Sequence, residues 1–198
     1  MKKFFLLLMA AATFNANAAY ISITTDKDTY NVGETIMATV SANELRDDYE
    51  VQTYFNGYFA LFNFDSLLLS LDVSSILELG ALGAQPFFST DGSDLNTLKV
   101  DAGEFLFASS FPSFPGAAFA QNGKDVVELF SFSLLALNAG SVELSPVSAV
   151  LAQGGSLIDV TSIESTSFTI AEVSAPGTFA LSLLALGGMF FARKRAKS

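Results

Sequence analysis

The residues best equipped for chemistry in this chain are carboxylates, and they come in short pairs: Asp26 with Asp28, Asp47 with Asp48, and Asp91 with Asp94. Each pair offers hard oxygen ligands at loop spacing, which is the kind of site calcium takes, but none matches the full EF-hand pattern with its terminal glutamate. In so acidic a chain such pairs also arise as solvated turns, so Asp91 and Asp94 stand as calcium candidates and no other metal or cofactor is expected. Two carboxylates can hydrolyse a glycoside only when they flank a cleft, and here the acids are scattered over turns. The sequence has no histidine and no cysteine. That removes the Ser-His-Asp and Cys-His triads and the usual zinc and copper ligands. Serine is abundant, yet no Gly-x-Ser-x-Gly elbow occurs, and a serine without a base is only a polar residue. A catalytic role is therefore not expected.

What remains is recognition by surface. Carbohydrate binding needs flat stacking rings, and without tryptophan the clustered tyrosines Tyr54 and Tyr58 are the candidates. Strand alternation puts both on one side, either as a small glycan platform or as part of the core. Around them, alternation sends Tyr58, Ala60, Phe62 and Phe64 to one face and Phe59, Leu61 and Asn63 to the other. Phe59 and Leu61 are then either covered by a neighbouring layer or form an apolar patch that meets a partner.

Charge narrows the partners. Six of the ten basic residues sit at the two ends of the chain. The stretch between keeps Lys27, Arg46, Lys99 and Lys124, and four basic against twenty acidic residues leave a formal charge of −16 there. So acidic a surface repels phosphate backbones, which excludes nucleic acid as a partner. With no disulfide available, stability has to come from a packed apolar core.

The elements that must position these residues read as strands and turns. Short apolar alternation broken by Gly, Asn, Asp and Ser predicts strands at 20–24, 35–41, 98–100, 104–110, 126–137, 141–144, 147–151 and 167–171. Residues 27–33 read as a polar turn region, with a reversal at Asn31-Val32-Gly33-Glu34. A charged loop covers 43–50. Residues 51–64 suit a long central strand or a bent pair, and 65–82 hold a turn with either a short helical piece or a further strand. Residues 83–95 and 111–123 are expected to be loops, the latter an exposed connection. Many short strands without a long amphipathic helix predict an all-β sandwich, with a jelly roll as the expected topology.

Both ends read as addresses. Residues 1–18 have the plan of a secretory signal peptide: Lys2 and Lys3, an apolar stretch at 4–12, and the cleavage pattern Ala16-Asn17-Ala18, so signal peptidase would leave Ala19 first. The far end, 173–198, holds the motif Val173-Ser174-Ala175-Pro176-Gly177-Thr178, an apolar run at 179–192, and the basic stop Arg193, Lys194, Arg195 and Lys197. Cations kept on the cytoplasmic side put everything before Pro176 across the membrane. As a helix the run rises roughly 21 Å, short of the ~30 Å hydrocarbon core, and Gly187 and Gly188 weaken it further. This tail resembles the PEP-CTERM sorting signals processed by exosortases, with Ala175 where the glutamate of the Pro-Glu-Pro version often stands. The resemblance implies transient inner-membrane contact, then delivery to the cell surface or extracellular matrix of a Gram-negative bacterium. The alternative is an ordinary anchor that keeps the protein in the inner membrane facing the periplasm.

Between the ends, residues 19–172 are expected to form one domain. The segment Gly57-Tyr58-Phe59-Ala60-Leu61-Phe62-Asn63-Phe64-Asp65-Ser66-Leu67-Leu68-Leu69-Ser70-Leu71 resembles the cohesin signature, an alternating strand running into aromatic-Asp and then leucine. Leu129-Phe130-Ser131-Phe132, followed by Ala139-Gly140-Ser141-Val142-Glu143-Leu144, is similar to the paired strands before that family's closing strand. The resemblance implies a non-catalytic jelly-roll sandwich, related in fold to cellulose-binding modules, that recognises a partner through one sheet face. Two functions are therefore expected: adhesion or recognition of an extracellular protein, or binding of an extracellular polysaccharide.

Overall fold

Alternating polarity builds most of the described residues into strands: β1 (Tyr20–Thr25), β2 (Thr29–Asn31), β3 (Thr35–Asn43), β4 (Gly57–Asn63), β5 (Leu69–Glu78), β6 (Phe87–Asp91), β7 (Thr97–Gly103), then helix α1 (Pro115–Gln121), and β8 (Val127–Ala136), β9 (Gly140–Gln153), β10 (Ser156–Ile158), β11 (Ile163–Glu164) and β12 (Thr166–Ala171). The computed structural model describes residues 19–46, 51–83, 87–92, 94–103, 115–154, 156–158 and 160–173. The signal peptide expected at 1–18, the strand expected at 104–110, and all but the first residue of the sorting signal expected at 173–198 lie outside the described residues.

The strands form two sheets, in the orders β11-β1-β3-β8-β5 and β2-β12-β9-β4-β7-β6, with β10 hairpinned onto the far end of β9. Most pairs are antiparallel, but β1 runs parallel to β11 and β2 parallel to β12. The first and last segments of the domain thus lie side by side, and each passes from the smaller sheet to the larger one.

Both sheets turn their apolar sides inward. Ile21 and Ile23, Ile36, Ala38 and Val40, and Phe130, Phe132 and Leu134 face Tyr58, Ala60 and Phe62, Leu98 and Val100, and Val142, Leu144 and Leu151, all of them buried. Across the interface the Tyr58 ring stacks on Phe130 at 5.8 Å, and Phe62 meets Phe130 edge-on at 6.0 Å and Phe132 at 5.6 Å. Such pairs add about 0.5–1.5 kcal/mol each beyond the area they bury. Tyr58 is therefore core. Its hydroxyl donates to the Leu129 carbonyl at 3.1 Å, and burial, with a smaller push from Glu78, raises its pKa far above the ordinary tyrosine value.

Two bulges reset the alternation. In β8 the pairing with β3 shifts between Val40 and Ser41, so that Leu129 and Phe130 both point inward. In β9 the pairing with β4 skips Val147, and the inward set changes from Val142 and Leu144 to Ala149 and Leu151. The two strands expected at 141–144 and 147–151 are consequently one long strand.

Three other expectations are corrected. Residues 83–95 contain β6, which pairs with β7 from Phe87 opposite Gly103 to Asp91 opposite Lys99. The polar region 27–33 contains β2, and its Tyr30 is wholly buried, edge-on to Phe168 at 5.4 Å. Tyr30 donates to Asp26 at 2.7 Å, and Asp26 also accepts from the Met37 amide at 2.9 Å. Burial pushes the Asp26 carboxyl up, but these hydrogen bonds and Lys27 outweigh it and leave the group below the ordinary carboxylate range. Burial and the bond to Asp26 push Tyr30 up to about 12.

The third correction is α1, in the stretch expected to be an exposed connection. Pro115 stands at the first helical position, where a missing N–H costs nothing. Ala117 and Gln121 on this helix are fully buried. The Gln121 amide donates to the carbonyls of Phe55 at 2.7 Å and Ala81 at 2.9 Å and accepts from the Phe55 N–H at 3.0 Å. One side chain thereby satisfies three backbone groups and ties residues 51–56 to the helix. That tether explains why only residues 57–63 of the expected long strand enter the sheet. At the helix start, a Cβ on Gly83 would lie 2.7 Å from the Gly116 carbonyl carbon, and Gly83 also has φ +93°. Only glycine fits there.

Candidate functional site

The outer face of the larger sheet gathers the side chains that alternation sends away from the core. Paired residues in antiparallel strands share a face, so the register places the rows directly. Phe59 lies between Asp101 of β7 and Val150 of β9, and Leu61 lies between Lys99 and Ser148. On β6, Ser89 continues the first row and Asp91 the second. Phe59, Leu61, Ser148 and Val150 are half-buried by one another, whereas Lys99, Asp101, Ser89 and Asp91 are exposed. The Lys99 ammonium sits 5.6 Å from the centre of the Phe59 ring, a cation–π contact at the sheet surface.

One end of this face is hollowed. Gly57 is flanked in register by Gly103 and Ala152, so the middle of this row carries almost no side chain above the sheet. The result is a shallow depression of about 310 Å³, walled by Phe59, Val150 and the β10 residue Leu157. Leu157 is 74% exposed, one of the most exposed large apolar side chains among the described residues. The surface is apolar at its centre, around Phe59, Leu61 and Val150, and charged at Lys99, Asp101 and Asp91. It can bury area against a partner.

Of the residues singled out by sequence, Phe59 and Leu61 are brought together on this face. Tyr54 and Tyr58 are not a glycan platform. Tyr58 points inward and is 2% exposed, because it stacks on Phe130, while Tyr54 belongs to the segment before β4 and donates its hydroxyl to Asn122 at 3.0 Å. Asp91 ends β6 opposite Lys99, and Asp94 lies in the following turn, where its carbonyl accepts from the Thr97 N–H at 3.2 Å. Asp26 is engaged by Tyr30 and Met37. Among the described residues no group of three acidic side chains is assembled to hold a metal ion. Asp47, Asp48, Ala16, Ala18, Ser174, Ala175, Pro176, Gly177, Thr178, Arg193, Lys194, Arg195 and Lys197 lie outside the described residues. Val173 is described and is 61% exposed. No helix among the described residues is long and apolar enough to cross a membrane.

Sequence reasoning missed Lys99, Asp101, Val150 and Leu157. The first two were within reach, since a strand with Leu98 and Val100 inward must turn Lys99 and Asp101 outward. Val150 and Leu157 required the register of β9 and β10, which no local pattern carries.

No protein-family model matches the chain, and no curated protein sequence matches it. Solved structures do. A cohesin module from a family 33 glycoside hydrolase of Clostridium perfringens is 14% identical with a TM-score of 0.58, over 80% of this chain and 100% of that module. The second type II cohesin module of an Acetivibrio cellulolyticus adaptor scaffoldin is 16% identical with a TM-score of 0.59, over 80% and 93%. A non-cellulosomal cohesin from the archaeon Archaeoglobus fulgidus is 15% identical with a TM-score of 0.53, over 82% and 96%. At such identities the likeness is one of fold: the chain has a cohesin-like β-sandwich.

Proposed function

We propose that this is an exported, non-catalytic recognition protein that binds another protein through the outer face of β9-β4-β7-β6, centred on Phe59 and Leu61. The supporting observation is that two large apolar side chains lie side by side on the side of β4 that the sandwich leaves uncovered. They are bordered by Val150 and Leu157 and rimmed by Lys99 and Asp101. An apolar centre with a charged rim is the anatomy of a protein interface. Another cohesin-fold structure, from Acetivibrio cellulolyticus, is of a type II cohesin–X-dockerin complex; it is 16% identical with a TM-score of 0.59 over 77% of this chain and 99% of that one. The absence of histidine and cysteine from the sequence supports a role without catalysis.

Within the same reading, residues 1–18 direct export, and residues 173–198 act as an exosortase-type sorting signal that delivers the domain to the cell surface or matrix. The test is direct. The wild-type domain and its Leu61→Asp variant are used to capture partners from the surface fraction of the native host, with circular dichroism on both and a glycan array alongside. Loss of a discrete captured protein in the variant, with an unchanged spectrum, supports the reading. Glycan binding that survives Leu61→Asp, with no protein captured by either form, would replace it with the polysaccharide alternative. Intact mass of the mature protein with and without the sorting enzyme tests the processing: retention of 179–198 in the inner membrane would overturn it.

A further inference from the structure

The sequence contains two Asn-Gly dipeptides, Asn56-Gly57 and Asn122-Gly123. In such a pair the asparagine carboxamide lies within reach of the next backbone nitrogen, and glycine brings neither a Cβ to block the approach nor a restricted φ. At both sites the side-chain oxygen accepts a hydrogen bond, from Tyr54 at Asn122 and from Gly154 at Asn56, but the two differ in exposure and in how the backbone is held. Asn122 and Gly123 are both exposed in the turn after α1, Gly123 has φ +74°, and no atom lies within 4 Å of where its Cβ would be. Asn56 is 3% exposed, its Oδ1 accepts from the Gly154 N–H at 3.0 Å, and Gly57 is held in the ladder between Gly103 and Ala152.

We propose that Asn122 is a self-modification site, at which the folded protein loses the side-chain amide, and that Asn56 is preserved. The Gly123 nitrogen adds to Cγ of Asn122 and gives up its proton. The Cγ–Nδ2 bond breaks and ammonia leaves, which closes a succinimide. Water then opens the ring at one carbonyl or the other, giving aspartate or isoaspartate, with no oxidant or enzyme needed. The bond from the Gly123 N–H to Gln52 Oε1, 3.1 Å, must open first, and it is solvent-exposed. At Asn56 the same step requires opening the β4 ladder itself.

The product has a structural consequence. Gln52 grips this turn at two points, accepting from the Gly123 N–H and donating from Nε2 to the Lys124 carbonyl at 3.0 Å. An ordinary aspartate keeps an oxygen acceptor for the Tyr54 hydroxyl. Isoaspartate lengthens the main chain by one methylene between residue 122 and the gripped groups, and so releases them. The turn therefore records the age of the protein, and the isoaspartate form holds residues 51–54 less firmly.

The experiment is an incubation of the folded full chain at mildly alkaline pH, followed by peptide mapping with fragmentation that distinguishes aspartate from isoaspartate. Label from an isoaspartyl methyltransferase serves as a second readout. Amide loss at Asn122 is expected to run roughly tenfold or more ahead of that at Asn56, which reacts only from a locally opened strand. The Asn122→Gln variant is expected to take up no label at this turn. An intact Asn122 after a time in which the urea-unfolded chain converts it, or equal conversion at Asn56, would overturn the proposal.

Discussion

The two sides of β4 carry nearly the same chemistry and meet opposite fates. Tyr58, Ala60 and Phe62 look inward and are sealed, while Phe59 and Leu61 look outward and are only half-covered, by neighbours on their own sheet. Composition does not distinguish the sides, since each presents an aromatic ring and an aliphatic group. What distinguishes them is the second sheet, which supplies Phe130 and Phe132 to one side and leaves the other bare. Hydrophobicity thus marks both the core and the proposed interface, and only the layer opposite tells them apart.

The contrast is sharpest between two phenylalanines three residues apart. Phe62→Ala should lower unfolding stability by about 3–5 kcal/mol, as expected for emptying an aromatic position in a core. Phe59→Ala should cost less than about 1 kcal/mol while weakening capture of the partner. Equal losses in urea titration would mean that both sides are core.

A smaller effect tests what holds the segment leading into β4. Gln121→Leu leaves the buried Phe55 N–H without its acceptor, a cost of about 1–3 kcal/mol for that group alone. The Phe55 and Ala81 carbonyls lose their donor as well. Hydrogen exchange should then quicken at 51–56 before it quickens within β4.

The smallest effect near neutral pH comes from the buried phenols. Tyr30 titrates at about 12 in the fold and Tyr58 higher still, against an ordinary value of about 10. A group raised on folding contributes stability that is fully present below its unfolded pKa and is lost as pH rises through the folded one. Stability should therefore be flat near pH 7 with respect to these groups and fall steeply above about pH 10. Asp26 has the opposite sign: its contribution is present above its ordinary carboxylate pKa and disappears as acid carries the pH through its lowered value. Phenolate absorbance that develops in full at pH 10 without unfolding would contradict the burial of Tyr30 and Tyr58.

Local alternation made the fold class and the strands β1, β3, β7, β8 and β12 legible, because one buried face gives a period of two. It failed where the period breaks. Pro146 and the bulge at Val147 split β9 in two on paper, and the three residues of β2 are too few to show a period. Helix α1 was hidden for a different reason. Its seven residues lack a long amphipathic repeat, and what fixes it is a single buried glutamine bonding to residues far away in sequence. The same division holds for the candidate site. Phe59 and Leu61 follow from the alternation of one strand, whereas Val150 and Leu157 join them only through register between strands distant in the chain.

The parallel runs of β1 beside β11 and β2 beside β12 have a mechanical consequence. Because the opening and closing segments of the domain point the same way, residues 19 and 173 leave from opposite ends of that seam. Tension between them acts along the strands. Their hydrogen bonds are then loaded in shear and bear the force together, whereas a seam pulled from a single end would unzip bond by bond. A domain tethered at its C-terminal side and tugged from the other would yield slowly, at a rate set by the unfolding barrier rather than by equilibrium stability.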